Sequence, residues 1–163
     1  MLPAVEAMPK DSVMRCHLSS VDSFEGFSKG VEEDHVLLAD GDGGAHLRPA
    51  FPSGSTDTSV EHVRRALHEF PGAAIHKGWI PQAFSTLPDT RWSFAYLDVD
   101  IYEPTLAGLE YFYPRMNPGG VIITDDFDAT MCPGVRRAWE VYCGPRSIPY
   151  IVLDTHQAVI IKQ

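Results

Sequence analysis

Two short apolar runs, Ser93-Phe-Ala-Tyr-Leu-Asp98 and Val121-Ile-Ile-Thr124, both end in acids: Asp98 and Asp100 after the first, Asp125 and Asp126 after the second. Runs of this length bounded by turn residues read as buried strands. Between them, Pro104 to Met116 reads as a helix with proline in its first turn. Asn117-Pro-Gly-Gly120 then reads as a turn. The same alternation continues in both directions. Cys16 to Val21 reads as a short strand running into Asp22-Ser-Phe-Glu-Gly26, and Ala73 to His76 as another strand. Thr58-Ser-Val-Glu61 fits a capping box. Val60, Val63, Ala66, Leu67 and Phe70 follow at helical spacing, up to a stop at Pro71-Gly72. Val135 to Tyr142 reads as a helix, and Ile148 to Leu153 with Ala158 to Ile161 as a closing antiparallel pair. Strands alternating with helices predict an α/β protein with a mostly parallel sheet and a C-terminal antiparallel hairpin.

The 163 residues fit one domain, 1–163, and a hydrophobic content of 44% suffices for a packed core. A net charge of −9, from 22 acids against 13 Lys and Arg, excludes the basic footprint of a nucleic-acid binder. No apolar run reaches the roughly 18 residues that a membrane span needs. No basic stretch followed by an apolar one marks a secretory leader near Met1 to Asp11. Cys16, Cys132 and Cys143 form no CxxC pair, so they read as idle thiols of a cytoplasmic protein. The seven histidines are scattered and show no paired-ligand spacing. Residues 28–57, rich in Gly, Asp, Pro and Ser, form a long variable loop or lid around the apolar run His35 to Ala39.

In open α/β sheets ligands bind beyond the carboxyl ends of the strands, where these acids fall. Neighbouring strands lie roughly 4.8 Å apart, so side chains from two adjacent ends reach one cation. Several carboxylates in a partly dry crevice repel one another unless a positive charge joins them, and a hard dication with oxygen ligands meets that need. An Asp after a strand also serves as a helix cap, and for Asp126 or Asp128 alone that reading stands. Two acidic pairs on successive strands leave metal binding and capping both open.

The string Tyr96-Leu-Asp-Val-Asp-Ile-Tyr-Glu-Pro-Thr105, then Leu109 to Gly120, then Val121-Ile-Ile-Thr-Asp-Asp-Phe127, resembles the macrocin O-methyltransferase family. Asp22-Ser-Phe-Glu-Gly26, Lys77-Gly-Trp79 with Pro81, Cys132-Pro-Gly134 with Arg136, Arg137 and Ala138, and the closing Gln157 to Lys162 match in order. The resemblance spans roughly residues 17 to 162. It implies a Rossmann-like class I methyltransferase sheet and two cofactors, S-adenosylmethionine and Mg²⁺. The implied acceptor is a hydroxyl of a sugar or natural-product glycoside. Asp98, Asp125 and Asp126 match the family's metal ligands, and Asp100 its general base. Asp22 matches the acid that grips the cofactor ribose, flanked by Ser23 and Gly26. Gly78 and Trp79 fall near the adenosine end, where Trp79 reads equally as a packed aromatic. Arg136 and Arg137 read as a solvated helix face. Self-association into a homo-oligomer is left open.

The family begins with a strand and a glycine-rich turn, which lie at the middle of the sheet. No buried strand with a glycine turn precedes Asp22, so this element is expected to be missing. Val36-Leu-Leu-Ala-Asp-Gly-Asp-Gly-Gly44 imitates it but falls after Asp22, so it reads as part of the lid. Truncation, degeneration and completion by a partner chain all account for the gap. A catalytically inactive methyltransferase-like binding module is the alternative function. A metal-dependent hydrolase lacks a recognisable nucleophile neighbourhood.

Overall fold

The computed structural model describes residues 18–163 apart from 40, 42 and 71. Cys16, in the predicted first strand, and Pro71, at the predicted helix stop, lie outside the described residues. In chain order the elements are β1 (Leu18–Asp22), β2 (His35–Ala39), β3 (Ala45–Pro49), α1 (Val60–Ala66), β4 (Ala73–Lys77) and β5 (Trp92–Leu97). There follow α2 (Tyr102–Phe112), β6 (Met116–Thr124), α3 (Pro133–Cys143), β7 (Ile151–Val152) and β8 (Ala158–Ile161). Short 3-10 helices lie at Glu32–Asp34, Gln82–Thr86 and Tyr113–Arg115.

β1 pairs in parallel with β4, and β5 in parallel with β6. β8 runs antiparallel to both β6 and β7, giving the four-stranded order β5-β6-β8-β7. The predicted α/β architecture with its C-terminal antiparallel hairpin is the one the chain adopts. Among the described residues no strand hydrogen-bonds β1 to β5, so the sheet is in two parts. The break falls where the resemblance puts the family's first strand.

The core lies between one face of the four-stranded sheet and the helices α2 and α3. Ile122 and Ile160, paired in register, are 0% and 1% exposed, and Leu109, Val135 and Trp139 are 0% exposed. Strand side chains alternate between faces, so Phe94 and Tyr96 point to the other side. There they are 56% and 45% exposed, which makes β5 a half-buried strand where the sequence predicts a buried one.

Local differences have local causes. Asn117 to Gly120 is no free turn but part of β6, whose pairing to β5 shifts register between Trp92 and Phe94. Hydrogen bonds from Gly119 N to Lys162 O and from Lys162 N to Gly120 O hold the irregular stretch extended. The cap of α1 is Ser59, whose hydroxyl accepts from His62 N at 3.1 Å, one residue later than Thr58. Glu61 thereby falls one position short of the reciprocal contact a capping box needs. α1 also ends at Ala66, leaving Phe70 58% exposed. His35 to Ala39 pairs antiparallel with β3 in a separate hairpin, so the glycine-bearing segment after it does not replace a central strand. Cys132 and Cys143 are free and buried.

Candidate active site

The carboxyl ends of β1, β4 and β5 converge on a cavity of about 170 Å³. Asp22, Ser23 and Gly26 line it from β1, Gly78 and Trp79 from β4, and Asp98 and Asp100 from β5. Asp22 O also accepts from Gly78 N at 2.9 Å, joining the ends of the two parallel strands. The Asp22 carboxylate is exposed and accepts from Phe24 N, which folds the chain back immediately after the strand. The Ser23 hydroxyl continues that turn, donating to Gly26 O at 3.2 Å and accepting from Glu25 N at 3.1 Å. Gly26 has φ +76°, and a Cβ there would lie 2.3 Å from Ser55 O, so packing of the 54–55 segment requires glycine. Trp79 is 38% exposed on the cavity wall.

Beside this cavity the acids after β5 meet those after β6. Ligand atoms of Asp100, Asp126 and Cys132 lie within 4.8 Å of one another. Asp98 and Asp125 stand outside that focus among the described residues, although their charges are felt across it. The Asp98 carboxyl is raised by desolvation and then by repulsion from Asp125 and Asp126. Burial pushes Asp100 up to about 7, with further upward contributions from its hydrogen bond with Asp126 and from the Asp98, Asp126 and Asp125 charges. Cys132, read from sequence as an idle thiol, lies inside the cluster. Desolvation and then the surrounding acids push it up to about 12, so it stays a neutral thiol there.

Asp125 is turned toward the sheet: its Oδ2 accepts from the Tyr96 hydroxyl at 2.6 Å and its Oδ1 from Asp126 N at 3.1 Å. That hydrogen bond, and then desolvation, push Tyr96 up to about 12. The sequence reading missed Tyr96 as a site residue. Its position two residues before Asp98, hence on the same side of an extended strand, was the available signal. Arg136 pairs with Asp128, and Arg137 with Glu140 at 3.6 Å, so both stay on the helix surface.

Acids and a glycine turn at the carboxyl ends of parallel strands define an α/β fold with its ligand site at the strand ends. The chain aligns with CalS11, a calicheamicin methyltransferase, at TM-score 0.67 and 22% identity, over 88% of this chain and 59% of that one. NovP, an O-methyltransferase, aligns at TM-score 0.67 and 22% identity, over 89% and 59%. The fold is that of class I methyltransferases. Residues 6–159 match the macrocin O-methyltransferase (TylF) family, and the chain belongs to it. Mycinamicin III 3''-O-methyltransferase of Micromonospora griseorubida is 30% identical over 115 residues, 68% of this chain and 44% of the relative. A tetracenomycin-C rhamnosyl 4'-O-methyltransferase of Streptomyces olivaceus is 28% identical over 115 residues, 68% and 42%. The chain thus spans less than half the length of these curated relatives. Among the described residues no helix is long and apolar enough to cross a membrane.

Proposed function

We propose that this chain carries the acidic, substrate-facing half of an O-methyltransferase. It would use S-adenosylmethionine and Mg²⁺ to methylate a hydroxyl of a sugar or natural-product glycoside in the cytoplasm. The observation that carries the reading is the meeting of Asp100 and Asp126 within 4.8 Å, with the charges of Asp98 and Asp125 felt across it, beside a cavity edged by Asp22. The donor set fits the metal: clustered carboxylates raise one another's proton affinity, and a hard dication with oxygen ligands removes that repulsion. Asp98, Asp125 and Asp126 would hold Mg²⁺, which supplies the Lewis acidity that lowers a hydroxyl pKa. S-adenosylmethionine, when bound, supplies an electrophilic methyl group.

The rest of the chemistry belongs to the chain's own side chains. Asp22 has an exposed carboxylate at the cavity edge, suited to accept hydrogen bonds from ribose hydroxyls. Trp79 offers an aromatic wall beside it. Asp100, held up by burial, accepts the hydroxyl proton at its carboxylate oxygen as general base. The half-dry setting that raises Asp100 also limits water around the acceptor. Orientation by these fixed groups supplies much of the rate for a transfer that needs an in-line approach.

A second reading, a catalytically inactive methyltransferase-like module, draws support from cavity size. About 170 Å³ is below the roughly 300 Å³ at which small-molecule sites begin. Titrating labelled S-adenosylmethionine with and without Mg²⁺ separates the two. The enzyme reading expects Mg²⁺-dependent transfer to a glycoside and its loss in Asp125→Ala. Full metal-dependent activity in that variant, or no cofactor binding at millimolar concentration, overturns it.

A further inference from the structure

Asp100 and Ile101 form the turn that enters α2, and Ile101 is its N-cap without a side-chain hydrogen bond. The first N–H groups of a helix need acceptors. Here Tyr102 N donates at 2.7 Å to Asp34 Oδ1, a residue 68 positions earlier. The other oxygen, Oδ2, accepts from Val31 N at 2.9 Å. Asp34 is 4% exposed, in a protein where buried acids are rare. Burial pushes its carboxyl up, while the Val31 and Tyr102 N–H groups pull it down. Gly134, at the start of α3, makes the room: a Cβ there would lie 2.0 Å from Asp34 Oδ1 and 2.8 Å from Tyr102 N. The residue after Asp34 begins β2, so the same carboxylate that caps α2 fastens the base of the β2–β3 hairpin.

The geometry assigns Asp34 as a positioning residue for Asp100: it caps α2 from the lid segment and couples the seating of the 35–49 hairpin to the aim of the base. The assignment rests on Asp100 acting as the base. A buried carboxylate is tolerated only where hydrogen bonds replace its water, and both oxygens have them here. The positive end of α2 adds to the hold on the negative charge. Removing the carboxylate frees the turn at Asp100 and the hairpin together.

The test compares Asp34→Ala with Asp34→Asn, which keeps one acceptor oxygen for Tyr102 N, in the full chain. Hydrogen exchange at Tyr102 is expected to quicken about tenfold in Asp34→Ala, with protease cleavage in 35–49 rising in step and Asn recovering part of both. With S-adenosylmethionine and Mg²⁺ saturating, kcat is expected to fall about tenfold while KM for the cofactor holds. Gly134→Ala, which displaces the carboxylate without altering it, serves if Asp34→Ala does not fold, and the same pattern is expected. Unchanged exchange and cleavage overturn the coupling. Altered exchange with unchanged kcat overturns the positioning role, and full activity in Asp100→Asn sinks the base reading separately.

Discussion

The Tyr96 hydroxyl donates to Asp125 Oδ2 at 2.6 Å, and Gln157 Nε2 donates to the same hydroxyl at 3.3 Å. A residue at the far end of the chain thereby reaches a proposed metal ligand through one phenol. Partners that orient a ligand carboxylate typically matter 10–100-fold in metal affinity. Tyr96→Phe is expected to weaken Mg²⁺ binding about tenfold by calorimetric titration, with the fold intact by circular dichroism. An unchanged affinity would show that Asp125 is aimed by other means.

Asp100 gives a pH dependence whose sign is fixed. Its carboxyl is raised from 3.8 to about 7, so the folded chain keeps a proton that the unfolded chain releases. This group's contribution to stability is full below 3.8 and is lost as pH climbs through about 7. Mg²⁺ favours the carboxylate form, so its stabilising effect should be larger at about pH 8 than at about pH 5. Thermal melts with and without the metal measure this. Asp100→Asn should flatten the decline between these two conditions.

Trp139 is 0% exposed, with ring centroids 5.7 Å from Phe127 and 5.2 Å from Tyr150. Trp139→Ala is expected to cost about 3–5 kcal/mol in urea unfolding. Its indole N–H is buried without a partner, so Trp139→Phe should cost far less than Ala. Equal losses in the two variants would contradict that account.

Gly26→Ala places a methyl group 2.3 Å from Ser55 O at a φ of +76°. The 54–55 segment must shift, and with it Thr56 on the cavity wall. Weaker S-adenosylmethionine binding is expected together with a lower melting temperature. A lower melting temperature with unaltered cofactor affinity would confine the role of Gly26 to packing.

The α/β class, the acid-ended strands and the closing hairpin were legible because periodicity and strand-end chemistry are local. Ser93 to Asp98 and Val121 to Asp126 announce both strand and acid in a single short window. Asp34 could not be found that way, since its partner Tyr102 is 68 residues off and only the folded chain brings them together. The convergence of Cys132 with Asp100 and Asp126 is equally a product of the loop between β6 and α3. Asn117 to Gly120 misled because proline and glycine signal a turn locally, while pairing to the C-terminal strand decides the outcome.

Asp100 and Asp126 both sit at positive φ, 58° and 53°. Aspartate and asparagine occupy this region readily, whereas most side chains meet a penalty of roughly 1–2 kcal/mol there. At these two places the residue type answers to backbone shape as well as to charge. Asparagine would silence the acids and leave the main chain undisturbed, while alanine would alter both at once. Exchange of carboxylate for amide at 100 and 126 therefore removes both charges with little cost to folding.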